Sequence, residues 1–94
     1  MTIQQLEHTL ISILNRHDAG RIAIFGSRAR GDARPESDLD VLVDFHQTKS
    51  LLTLVEIERE LSETLGVKVD LLTEKAISPH LIERIKADLK VIQQ

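Results

Sequence analysis

An alternation of acidic and apolar residues over positions 38–44 constrains this chain more than any other feature of its sequence. Successive side chains of a β-strand point to opposite faces, so the apolar residues at 39, 41 and 43 share one face while Asp38 and Asp40 lie on the other. Strand propensity does not favour two aspartates in a segment otherwise rich in Val and Leu. Two neighbouring carboxylates also repel each other unless a cation offsets their charge. The segment is therefore predicted to be a strand with one buried face and one acidic face.

A third acid has the same phase on a later strand. Asp70 lies in the alternating segment 67–72, and if the two strands are neighbours, Asp38, Asp40 and Asp70 converge on one patch. Oxygen-only donors in a chain without cysteine favour Mg²⁺ or Mn²⁺ over zinc. The alternative is that these acids are solvated on the exposed face of a sheet.

The Gly26-Ser27 turn supplies a possible phosphate site. An apolar strand predicted over 21–25 ends at Gly26, where the backbone can approach a ligand closely, and a helix starting at Ser27 offers free N–H groups to a phosphate. Arg28 and Arg30 lie about 200° apart around a helix, so at most one should face the phosphates, and the spacing does not choose between them. An ordinary turn followed by a helix N-cap is the alternative interpretation.

The remaining segments complete an α/β (α+β) pattern within a single domain over residues 1–94, because this length fits one domain and contains no repeat or linker. The order is helix, strand, short helix, strand, helix, strand, helix. A short helix is expected from Ser27 to about Asp32, followed by a turn-rich loop over 31–37. The longer helices are predicted over 2–16, capped by Thr2 and Gln5; over 51–65, between Ser50 and Gly66; and from Ser78-Pro79, with the apolar stripe Leu81, Ile82, Ile85, Leu89 and Ile92.

The charge and aromatic content narrow the range of partners. The formal net charge is −3, and Phe25 and Phe45 are the two aromatic residues, so stand-alone binding of nucleic acid is disfavoured. The chain lacks a long apolar run and a signal-peptide pattern, so no membrane association is expected. Absence of cysteine fits a reducing compartment, and a cytoplasmic location is predicted.

The motifs together resemble a known signature. The runs GSRARG at 26–31 and SDLDVLV at 37–43 are similar to the signature of the DNA polymerase β-like nucleotidyltransferases, and the small size resembles the minimal nucleotidyltransferase (MNT) branch. This resemblance covers essentially the whole chain and implies a small mixed β-sheet flanked by helices, with ATP as substrate and two Mg²⁺ ions. It implies that Asp38 and Asp40 bind both metals, that Asp70 is the third acid, and that Gly26 and Ser27 hold the β- and γ-phosphates.

The same resemblance implies a protein partner. Members of the minimal branch are commonly paired with a HEPN-family ribonuclease in toxin–antitoxin modules, and some resemble adenylyltransferases that place AMP on a tyrosine of that toxin and neutralise it. A chain of 94 residues leaves little room for an acceptor-binding region beside the predicted site, so a partner is expected to deliver the hydroxyl.

Two other functions remain open at this point. One is a non-catalytic antitoxin that covers the toxin surface, for which the C-terminal apolar stripe, extended to Ile77, is the supporting feature. The other is a small-molecule nucleotidyltransferase similar to the aminoglycoside-modifying enzymes, which would require a homodimer to build the acceptor site.

Overall fold

The computed structural model describes residues 2–94, which form four α-helices and four β-strands. A single 3₁₀ turn, Glu74–Ala76, leads from the third strand to the last helix. In chain order the elements are α1 (Ile3–Arg16), β1 (Ala19–Phe25), α2 (Ser27–Arg30), β2 (Leu39–Phe45), α3 (Leu51–Leu65), β3 (Val69–Thr73), α4 (Pro79–Lys86) and β4 (Lys90–Gln93).

The strands form one mixed sheet in the order β3-β2-β1-β4. β1 pairs antiparallel with both β2 and β4, whereas β2 and β3 run parallel. A parallel pair requires a crossover, which α3 provides. The predicted mixed sheet with flanking helices is confirmed.

Local sequence signals define the helix ends. At the start of α1 the Thr2 hydroxyl accepts from the Gln5 amide at 3.1 Å, and the Gln5 side chain accepts from the Thr2 amide at 2.8 Å. The Ser50 hydroxyl accepts from the Thr53 amide at 3.1 Å and caps α3. Gly66 ends α3 in the left-handed region, with φ 72°. These two helices are confirmed where the sequence predicts them.

The core lies between one face of the sheet and the helices α1 and α3. Alternation along β2 buries Leu39, Val41 and Val43 completely on this face. Helical periodicity supplies the other side of the core from residues that include Leu10, Leu14, Ile57 and Leu61. The acidic positions of β2 therefore lie on the opposite face of the sheet.

Side chains of α3 satisfy the outer edge of β3. The Ser62 hydroxyl accepts from the Val69 amide at 3.0 Å, and the Glu58 carboxylate accepts from the Leu71 amide at 2.8 Å. An edge strand otherwise presents unpaired backbone donors. These two hydrogen bonds fix β3 against α3 and set its register.

The predicted C-terminal helix is wrong beyond Lys86. The start at Ser78 is confirmed, since its hydroxyl accepts from the Leu81 amide at 3.3 Å. The chain then turns, and 90–93 form β4 against the open edge of β1. The Gln93 side chain anchors this strand by donating to the Gly20 carbonyl at 2.7 Å. Backbone pairing with β1 outweighs the helical spacing of Leu89 and Ile92.

The apolar stripe is consequently divided between elements. Ile85 is buried, and it lines a cavity of about 330 Å³ on the second face of the sheet with Leu42, Ile82 and Leu89. Leu81 remains 39% exposed. No helix within residues 2–94 has the length and apolar character needed to cross a bilayer.

Candidate active site

Asp40 and Asp70 meet at the parallel junction of β2 and β3. They are register partners, and neighbouring strands lie about 4.8 Å apart. Their side chains are close enough to hydrogen-bond each other. The Leu39 amide donates to the Lys68 carbonyl at 2.8 Å and so aligns the start of both strands. The two acidic strands are therefore neighbours, which was the condition for their acids to converge.

The negative charge of this pair is only weakly opposed by the basic side chains of residues 2–94. Partial burial raises the pKa of the Asp40 carboxyl above its ordinary value, and the charge and hydrogen bond of Asp70 raise it further. The charge of Asp38 acts in the same direction, while that of Arg30 opposes it. The net effect is an excess of negative charge that a cation would offset.

Asp38 lies at the rim of this site. It is exposed and directly precedes β2, so the strand ladder does not hold its backbone. It influences Asp40 through its charge. Across residues 2–94, no three His, Cys, Asp or Glu side chains are arranged as a complete metal site. The structure thus brings Asp40 and Asp70 together and leaves Asp38 nearby, so the three-acid cluster stays a prediction.

The Gly26-Ser27 turn abuts the acid pair. Phe25, the last residue of β1, is the register partner of Asp40, and Gly26 follows with φ 75°. A Cβ added at Gly26 would collide with Oδ2 of Asp40. Glycine is required here both for the backbone conformation and for the close approach of the carboxylate. Ser27 then begins α2.

The two arginines of the turn have different surroundings. Arg28 extends toward the 31–37 loop and donates from Nη2 to the Ser37 carbonyl at 2.8 Å. Arg30 donates to Asp32 at 3.3 Å and to Asp88 at 3.1 Å, and its charge acts on Asp40. These carboxylates raise the pKa of the Arg30 guanidinium. Of the two arginines, Arg30 is the one whose charge acts on the acid pair.

Sequence reasoning missed Asp88 as part of these surroundings. It lies in the turn between α4 and β4, a turn that the predicted continuous helix did not contain. Its partner Arg30 is 58 residues earlier in the chain. No local pattern signals such a contact, because it depends on how α4 packs on the sheet.

The donor set fits a hard divalent cation. Asp40 and Asp70 offer carboxylate oxygens with excess negative charge, and Asp38 adds a third carboxylate at the rim. Mg²⁺ binds through one or two carboxylates together with water and substrate phosphates. Gly26 provides the space for such an approach, since any side chain would displace Asp40. Acids beside a Gly-Ser turn can thus hold a metal and a triphosphate together.

This mixed sheet and its acidic site define a nucleotidyltransferase. Residues 8–92 match the family model described as a nucleotidyltransferase domain, and the chain belongs to that family. A Methanocaldococcus jannaschii protein provisionally named a protein adenylyltransferase is 46% identical over 85 residues, which cover 90% of this chain and 91% of the relative. Protein adenylyltransferase MntA of Thermococcus cleftensis is 33% identical over 89 residues and 90% of each chain.

Solved structures agree with this assignment. A structure provisionally described as a minimal nucleotidyltransferase superposes with a TM-score of 0.79 at 36% identity, covering 94% of this chain and 90% of that one. A toxin–antitoxin crystal structure with AMP-PNP gives 0.84 at 25% identity, covering 90% and 70%. A tri-AMPylated Shewanella oneidensis HEPN toxin in complex with an MNT antitoxin gives 0.78 at 23% identity, covering 94% and 69%, and supports the fold alone.

Proposed function

We propose that this nucleotidyltransferase is a Mg²⁺-dependent protein adenylyltransferase that transfers AMP from ATP to a tyrosine of a partner HEPN ribonuclease toxin and neutralises it. The observation that carries the proposal is the placement of Asp40 opposite Asp70, directly beside Gly26. The names of the curated relatives and the AMP-PNP in a related toxin–antitoxin structure support this choice of donor and acceptor.

The proposed roles follow from the position of each residue. Asp38 and Asp40 would hold both metal ions, and Asp70 would be the third acid that helps to hold the catalytic ion. Mn²⁺ could replace Mg²⁺ at such carboxylates. When bound, the metal ions lower the pKa of the attacking hydroxyl and stabilise the pyrophosphate leaving group. Gly26 and Ser27 bind the β- and γ-phosphates through the turn that precedes α2.

The reaction is an in-line displacement at the α-phosphorus of ATP. The tyrosine oxygen forms a bond to phosphorus, the bond to the pyrophosphate oxygen breaks, and the phenol proton passes to solvent. Protein side chains form no covalent bond in this step, so the acids and the turn contribute positioning and charge neutralisation. The positive charge of Arg30 opposes the negative charge at Asp40, although Arg30 also pairs with Asp32 and Asp88.

The direct test is to incubate the protein with ATP, Mg²⁺ and the product of the neighbouring gene, and to measure the intact mass of that product. Mass gains in units of AMP are expected, and they should disappear when the acceptor tyrosine is replaced by Phe. They should also disappear in the double variant Asp38→Asn/Asp40→Asn. Asp44→Asn is the matched control, since Asp44 lies on the same strand and face as Asp40 but four residues away.

A non-catalytic binding antitoxin is the second candidate, and a patch at the start of α3 favours it. Leu51, Leu52 and Val55 are 77%, 70% and 52% exposed, which is unusual for three clustered apolar side chains. If the double aspartate variant still blocked toxicity in cells, binding would explain neutralisation better than AMP transfer.

A further inference from the structure

Arg28 links the Gly-Ser turn to the loop that leads into the acidic strand. Its Nη2 donates to the Ser37 carbonyl at 2.8 Å and lies 3.4 Å from the Pro35 carbonyl. The Nε of Arg28 is buried and has no hydrogen-bond partner among residues 2–94. The guanidinium is thus partly buried against the loop, and its Nη2 is directed to backbone oxygens.

The loop needs such a link because little else holds its end. A turn is formed by the Ser37 amide, which donates to the Arg34 carbonyl at 2.9 Å, and by the Ser37 hydroxyl, which accepts from the Arg34 amide at 2.8 Å. Strand pairing begins only at Leu39. Asp38 lies between this turn and the strand, exposed, and its amide shares a peptide plane with the Ser37 carbonyl.

We infer that Arg28 is a positioning residue for Asp38: by fixing the Ser37 carbonyl it orients the peptide that carries Asp38 toward Asp40 and Asp70. The inference rests on the proposed function, in which Asp38 is one of the metal-binding acids. Arg28 acts through the backbone, because its Nη2 donates to the Ser37 carbonyl at 2.8 Å.

The chemistry of the contact predicts which replacement of Arg28 is tolerated. A guanidinium is a planar fork that can donate to two acceptors, whereas an ammonium is a point charge on a more flexible stem. Arg28→Lys should therefore retain part of the contact with the Ser37 carbonyl, and Arg28→Ala should retain none. Arg59→Ala is the matched control, because Arg59 is 81% exposed on α3 and pairs with Glu63.

The test combines amide hydrogen exchange with transfer kinetics. In Arg28→Ala we expect faster exchange of the Ser37 and Leu39 amides and unchanged exchange in α1. The kcat of AMP transfer should fall at least ~10-fold, since small misplacements in a reacting site are costly, while KM for ATP changes little. The Mg²⁺ concentration for half-maximal activity should rise. Arg28→Lys should fall between the two proteins, and Arg59→Ala should match the wild type.

A double variant identifies the route of the effect. If Arg28 acts through Asp38, then adding Arg28→Ala to Asp38→Asn should cause no loss beyond that of Asp38→Asn alone. Losses that multiply, a rise in KM with unchanged kcat, or unchanged exchange at Ser37 would overturn the inference. Should Arg28→Ala fail to fold, Arg28→Lys carries the same measurements. If the wild-type protein transferred no AMP, the proposed function would be wrong. The exchange data would still show whether Arg28 holds the Ser37 carbonyl.

Discussion

Asp40 lies directly across a parallel strand pair from Asp70, and the negative charge of Asp70 raises the pKa of Asp40. This arrangement opposes folding unless a cation joins it, because two partly buried carboxylates must share one site. It is useful for function for the same reason, since the folded protein supplies a cation site in advance. Stability and activity should therefore respond in opposite directions when the pair is altered.

Asp40→Asn should abolish AMP transfer and yet stabilise the metal-free protein. We expect transfer to fall by roughly 10²-fold or more, by analogy with removal of one preorganised electrostatic group. Because the pKa of Asp40 is raised by folding, its ionised form favours the unfolded state. That penalty is absent below the unfolded pKa of about 3.9 and develops fully as the pH rises through the folded pKa.

Urea unfolding without divalent cations checks this prediction. The gain in unfolding free energy of Asp40→Asn over wild type should be present at neutral pH and vanish at about pH 3, below the ordinary aspartate pKa. Added Mg²⁺ should stabilise the wild type and leave the variant unchanged. A variant that is less stable than wild type at neutral pH would contradict the electrostatic account.

Gly26→Ala should lose activity because a side chain at position 26 collides with Asp40, and Gly66→Ala is the comparison. Both Gly26 and Gly66 have positive φ, so alanine is strained at either position: Gly66 is left-handed helical, where alanine costs about 1 kcal/mol, whereas Gly26, with ψ −152°, lies in a region almost restricted to glycine and costs more. Only at Gly26 does the new Cβ collide with Oδ2 of Asp40, whereas nothing lies within 4 Å of a Cβ at Gly66. Denaturation and transfer assays should show both variants destabilised and only Gly26→Ala inactive. Equal activity of the two variants would show that the close approach to Asp40 is dispensable.

Glu58→Ala should weaken the edge of β3 and, through it, the site. The Glu58 carboxylate accepts from the Leu71 amide, the residue after Asp70, so its removal leaves a partly buried donor unpaired. The expected loss in unfolding free energy is about 1–3 kcal/mol. Glu58→Gln keeps an acceptor oxygen and should lose less. AMP transfer should follow the same order, and a fully active Glu58→Ala would argue that Asp70 does not depend on this register.

Gln93→Ala tests the strand that sequence patterns missed. The Gln93 side chain donates to the Gly20 carbonyl and exchanges hydrogen bonds with the Asn15 amide group. We expect a loss of about 1 kcal/mol in unfolding free energy, measured by urea denaturation. Gln94→Ala, at the exposed neighbouring position, is the comparison and should have little effect. Equal stability of the two variants would mean that β4 is held by its backbone alone.

Local signals in the sequence predicted most of the fold and the position of the acid pair. Capping residues such as Thr2 and Ser50 mark helix ends through contacts three residues away, and period-two alternation sets the faces of β2. β4 could not be predicted in this way, because it depends on the open edge of a distant strand. The contacts of Arg28 and Arg30 could not be predicted from the sequence either. Helical spacing gives the angle between the two side chains, but it does not give the residues that each one contacts.

The hydrogen bonds from Glu58 and Ser62 to the outer edge of β3 also affect how copies of this protein can associate. With the Val69 and Leu71 amides already paired, another strand would find few donors there, which protects the edge nearest the acids from sheet-to-sheet aggregation. β4 is the edge that remains for strand addition, and two strands separate it from β3. Chains that joined through β4 would leave Asp70 and the edge of β3 uncovered.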